Sequence, residues 1–176
     1  MKNSTEKAKK KRLIIRLILL FITLLLCLSL FVPLSPTKSI LRTSGFMVTG
    51  RLHFPNEHIG NVVTDRNGND FTIFREVVVD PTGDRPPQPG AVLILHFRVT
   101  DMTPEHNKIY SLLPLPLYIG DPGFRRKLFA INGEYCQSIY EWDRVQDAEN
   151  YVNSVALKTV RMHSAPDSFS FEIIKK

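Results

Sequence analysis

The chain has 176 residues, 43% hydrophobic and 23% charged, with 12 Pro, 9 Gly and two Cys. That suits one domain with attachments. It excludes a multidomain enzyme, a collagen-like or disordered chain, a disulfide-stapled scaffold and a zinc site built from thiolates. The net charge of +6 is concentrated at the start, where Lys2, Lys7, Lys9, Lys10, Lys11, Arg12 and Arg16 face only Glu6. The rest of the chain is neutral, so it offers no basic face to nucleic acid.

In chain order, residues 1–12 read as a cytoplasmic basic tail and residues 13–34 as a transmembrane anchor. Leu17 to Leu34 carries no charge, and eighteen helical residues rise about 27 Å, close to the roughly 30 Å of a hydrocarbon core. A cleaved signal peptide is the competing reading, but the apolar run is longer than such a segment needs and lacks a small-x-small site. The positive-inside rule then predicts a single-pass protein of the cell membrane, with its N-terminus cytoplasmic and its folded part extracytoplasmic. Cys136 is expected to be buried as a small hydrophobe.

Residues 35–45, rich in Pro, Ser and Thr, read as a linker, and residues 46–90 as a β-rich extension. Its runs are Phe46 to Phe54, Asn61 to Thr64 and Phe71 to Val79. Asp65-Arg66-Asn67-Gly68-Asn69 is a hairpin turn between the last two. Asp80 to Gly90 is a loop. Ala91 to Val99 alternates as a strand, with Ala91, Leu93, Leu95, Phe97 and Val99 on one wholly apolar face and Val92, Ile94, His96 and Arg98 on the other.

Thr103-Pro104-Glu105 starts a helix that Pro114 and Pro116 must end. Phe124 to Ile131 and Tyr135 to Trp142 flank an Asn132-Gly133 turn, predicting an antiparallel hairpin. Asp143 with Gln146 reads as a capping box opening a helix that keeps one buried face as far as His163. Phe169, Phe171 and Ile173 then alternate in a final strand. From residue 91 to 174 the order is strand, helix, strand, strand, helix, strand, an α+β, ferredoxin-like βαββαβ domain. Helices on one face of its sheet leave the other bare, which predicts a homodimer.

Pro122-Gly123-Phe124 with Lys127-Leu128, then Tyr140-Glu141-Trp142-Asp143 and Ala148-Glu149-x-Tyr151, resemble the dimeric α/β-barrel superfamily. The resemblance is to its YdhR-like and antibiotic-biosynthesis-monooxygenase-like members, nearest to uncharacterised bacterial ones, and covers about residues 90 to 174. It implies a homodimer with a cavity for an aromatic substrate or haem. Haem-degrading members resemble this chain in an aromatic strand end, here Trp142. Where they carry an iron-ligating histidine this chain has Arg161, and His163 lies on another face of the helix, so no cofactor is implied.

The candidate site places His96 as base and Arg98 as anion clamp for an acidic phenol-like substrate. Ile94, Lys127, Tyr140 and Trp142 are expected to line the same cavity. The competing structural account pairs His96 and Arg98 with acids at a dimer seam. His53 and His58 lack metal-ligand spacing and a third ligand, so no metal is expected. Nucleotide, hydrolase and zinc-protease motifs are absent from the sequence. The leading expectation is a membrane-anchored protein that binds a small apolar or aromatic molecule. The alternatives are a cofactor-independent monooxygenase-like enzyme acting on an aromatic substrate, and a structural or interaction module whose cavity is filled by side chains.

Overall fold

The computed structural model describes residues 34–176. The expected anchor, residues 13–34, lies almost entirely outside them. Among the described residues no helix is long and apolar enough to cross a membrane. The helix at their start, α1 (Leu34–Val48), has 15 residues and contains Lys38 and Arg42; it rises only about 22 Å against the roughly 30 Å required. The single-pass, outward-facing placement expected above is therefore corrected and carried no further.

Residues 35–45, expected to be a linker, belong to this same helix. Proline is tolerated in a first turn, and the small hydroxyl residues are what the packing uses. Ser39 and Thr43, four apart on one face, are buried. Thr43 Oγ1 donates to the Pro116 carbonyl at 3.4 Å, and any Cβ on Gly120 would collide with the Ser39 carbonyl. The composition that resembled a stalk is what lets the backbones meet.

The remaining elements are β1 (Leu52–His53), β2 (Val62–Thr64), β3 (Asp70–Val79), β4 (Ala91–Arg98), α2 (Pro104–Tyr110), α3 (Leu115–Tyr118), β5 (Phe124–Asn132), β6 (Tyr135–Trp142), α4 (Val145–Val152), α5 (Val155–Met162) and β7 (Ser170–Lys175). The strands form one antiparallel sheet in the order β1-β3-β5-β6-β4-β7, with β2 also on β3. Its β7-β4-β6-β5 portion, with α2 and the α4–α5 pair as crossovers, has the ferredoxin-like arrangement. Both predicted hairpins form, with Gly68 at φ 83° and Gly133 at φ 57°, the left-handed conformations that favour glycine. In the first, Asp65 Oδ1 accepts from the Asn67 and Asn69 amides, each at 2.8 Å.

Three local expectations change. Phe46 to Val48 is helical rather than extended, leaving only Leu52 and His53 of that run in a strand. The residues from 70 to 79 are an integral strand, paired to β5, and not an appendage. The helix expected from Asp143 to His163 breaks at Asn153 into α4 and α5, because the Ser154 hydroxyl caps a new start by accepting from the Leu157 amide at 3.2 Å. Asp143 caps nothing: its carboxylate is held by Arg85 at 2.5 Å and by Arg125. Two guanidiniums outcompete a helix terminus for it.

Candidate functional site

Strand register decides which side chains share a space, because paired residues point to the same face. Leu93, on the apolar face of β4, opposes Tyr140, which opposes Lys127; Ala91 opposes Trp142 in the same row. That face carries the helices, and Tyr140, Trp142, Tyr118 and Tyr151 form a fully buried aromatic core on it. Ile94, His96 and Arg98 lie on the opposite face, opposite Ile139, Gln137 and Tyr135. The single cavity expected to hold all six residues does not exist: Lys127, Tyr140 and Trp142 are on one side of the sheet and Ile94, His96 and Arg98 on the other.

The face of His96 is not bare either. A register shift between Ile73 and Arg75 bends β3, and the β2–β3 hairpin folds over the sheet. Phe71 packs against His96 with ring centroids 5.8 Å apart and the planes tilted by 31°, and Arg66 at the hairpin tip pairs with Glu172 of β7 at 2.5 Å. Phe71, Ile73, Leu128 and Ala130 form a buried cluster beneath. Further along, Glu76, 2% exposed, is held by His58 at 2.8 Å and Arg126 at 3.5 Å, and Arg126 reaches Glu141 at 2.8 Å. Arg98 pairs with Glu134 at 3.5 Å, within the chain rather than across a seam. The bare face from which a twin was argued is thus covered, in large part, by the chain's own hairpin.

On the helix side, a cavity of about 630 Å³ lies between the sheet, α2 and α5. Phe74, Phe97, Phe129, Leu117 and Val160 give it apolar walls, and Lys127, Cys136 and Ser138 are the buried polar side chains of its floor. Lys127 is 4% exposed. Its Nζ lies 3.8 Å from the ring centre of Phe129, 4.6 Å from Tyr140 and 5.0 Å from Tyr118. Among the described residues no carboxylate pairs with it. Arg75 shares the Phe129 ring, 5.6 Å from its centre, lies 5.4 Å from that of Phe74, and donates to Ser111 Oγ.

Burial pushes the Lys127 ammonium well below the usual lysine range; the Cys136 thiol pulls it back and the nearby Arg75 lowers it further. Ring faces favour the cation by about 1–2 kcal/mol, less than the several kcal/mol of desolvating an ammonium, so the direction stands. Burial also pushes the Cys136 thiol up to about 11, which keeps it neutral, with Asn107 donating to Sγ at 3.0 Å. Chemically, the cavity presents an amine able to accept a proton or to meet an acid, in apolar surroundings. One wall is α2, which has no buried residue and so ranks among the least anchored.

No protein-family model and no curated protein matches this chain. Solved structures do. A monooxygenase-like protein from Listeria innocua is 13% identical with a TM-score of 0.44, over 62% of this chain and 65% of its own. A ferredoxin-fold protein related to antibiotic-biosynthesis monooxygenases, from Listeria monocytogenes, is also 13% identical with a TM-score of 0.44, over 69% and 89%. A heme-degrading enzyme from Listeria monocytogenes is 14% identical with a TM-score of 0.45, over 70% and 96%. At such identities the likeness is one of architecture, which the strand order above establishes independently.

Arg161, matched to an iron-ligating histidine, lays its guanidinium 4.8 Å from the centre of the Phe169 ring, and His163 at the cavity rim is bound to Asp101 at 3.1 Å. The matched position supplies no iron ligand. The residues missed in the sequence are Arg75, Phe74 and Phe129. Their signal was a lysine alternating with Phe129 and Ile131 in an otherwise apolar row.

Proposed function

We propose that this chain binds a small aromatic molecule in the helix-side cavity, with Lys127 at the ligand's polar end. What supports the reading is a single feature: a nearly buried amine with no acid partner among the described residues, on the floor of an apolar space about 630 Å³ in volume, within the usual range for small-molecule sites. A cavity filled by its own side chains, as a purely structural module requires, is not what surrounds it. The test is titration of the full chain with naphthalene- and anthracene-type compounds, followed by calorimetry. One-to-one binding that Ser138→Phe abolishes by filling the floor is the expected result; binding unaffected by that variant sinks the proposal.

A second reading follows from the lowered proton affinity of Lys127. The amine would take the proton of a phenol or quinol, and the resulting electron-rich anion would react with dioxygen as a cofactor-independent monooxygenase does. In such a reaction the ring C–H para to the phenolate oxygen, a CH2 in the keto tautomer, becomes C=O; one oxygen atom enters that carbonyl, the other leaves in water, and the substrate supplies all the electrons. This moves the base from His96 to Lys127. Oxygen uptake with a panel of quinols should then be lost in Lys127→Met and kept in His96→Ala; the reverse pattern returns the role to His96.

A further inference from the structure

Resting on that reading of the cavity, we infer that its ligand is an aromatic acid, whose carboxylate or phenolate is recognised by Lys127, with the Arg75 guanidinium adding positive charge from behind Ser111 of the wall. Six arginines of the domain are paired with acids, whereas Arg51 and Arg161 rest on the rings of Phe46 and Phe169. Arg66, Arg85, Arg98, Arg125, Arg126 and Arg144 each have a carboxylate partner. Around Phe74 and Phe129 the pattern reverses. Lys127 lies within cation–π distance of Phe129, Lys108 of Phe74 and Arg75 of both, and among the described residues none of the three has an acid partner. The acid nearest the cavity wall, Asp101, is taken by His163.

Burial and the nearby Arg75 guanidinium both disfavour a proton on Lys127 while no counter-ion is at hand. A fold gains nothing from such a cluster unless the counter-charge arrives from outside. A planar acid supplies it while its ring covers Phe97, Phe129 and Leu117. The bonds it makes are charge-assisted, about twice as strong as neutral ones, and in a dry site they discriminate strongly against an analogue lacking the group. Burial that disfavours the protonated amine adds a signature: binding the acid draws a proton onto Lys127 from solvent.

The experiment compares 2-naphthoate with 2-naphthalenemethanol, its uncharged counterpart, by calorimetry on the full chain at pH 8 in two buffers of different ionisation heat. The expected result is at least tenfold tighter binding of the acid with net proton uptake, the preference disappearing in Lys127→Met while the alcohol still binds. Equal binding of acid and alcohol overturns the inference and leaves the cavity reading standing. Binding of neither removes both. A preference for the acid that survives Lys127→Met places the anion elsewhere and also overturns it.

Discussion

The two faces of this sheet bury charge in opposite ways. On the face under the β2–β3 hairpin, Glu76 is 2% exposed yet carries both His58 and Arg126, and Arg126 is shared with Glu141. On the helix face, Lys127 is as buried and has only aromatic rings. The first arrangement is internally complete. The second is incomplete within the described residues, which is how a binding site differs from a structural ion pair when both sit on the same sheet.

Variants that break the covered face should cost the most. Phe71→Ala empties the contact between the hairpin, His96, Leu128 and Ala130 and is expected to destabilise by about 3–4 kcal/mol in urea denaturation. It should also induce concentration-dependent self-association in sedimentation, since it uncovers the face that the sequence alone left bare; a variant that stays as dispersed as the parent means the hairpin is not its cover. Asp143→Ala leaves Arg85 and Arg125, 15% and 10% exposed, without their carboxylate, at an expected cost of about 3 kcal/mol and with faster proteolysis in the loop from 80 to 90. Arg126→Met leaves Glu76 to His58 alone. Because Arg126 is itself 30% exposed, solvent screening holds that cost to about 2 kcal/mol, measurable as a fall in thermal midpoint.

Much of this was legible in the residues. The element order, both Asn-Gly hairpins, the Thr103 cap and the apolar face of β4 follow from period and turn chemistry that act locally. Asp143 and the segment 35–45 were misread because their partners, Arg85, Arg125, Pro116 and Gly120, are distant in sequence and leave no trace in local pattern. Lys127, Tyr140 and Trp142 were placed on the wrong side for a subtler reason. Tyr140 pairs with Leu93, already assigned to the helix face, and Lys127 pairs with Tyr140, but the second pairing depends on register across Asn132-Gly133, and a slip of one residue reverses every side chain. The bulges at Phe74 and Arg125 add a phase change that alternation does not reveal.

The smallest expected effect has the opposite sign, and it separates the two faces most sharply. Lys127→Met replaces an unpaired buried amine with an apolar chain of similar length, so it should stabilise the fold by about 1 kcal/mol at pH 7 where every other charge removal above destabilises it. The pH dependence carries the same distinction. The folded-state affinity of Lys127 for its proton lies below that of the unfolded chain, so between the depressed value and the ordinary lysine range the unfolded state binds more protons, and stability must rise with pH. Thermal midpoints of the parent should climb from pH 7 towards pH 10 relative to Lys127→Met, with the gap between them closing as the unfolded lysine also loses its proton. A gap that stays constant over that range means the amine is protonated in the folded state, already has a counter-charge, and has no need of a ligand to bring one.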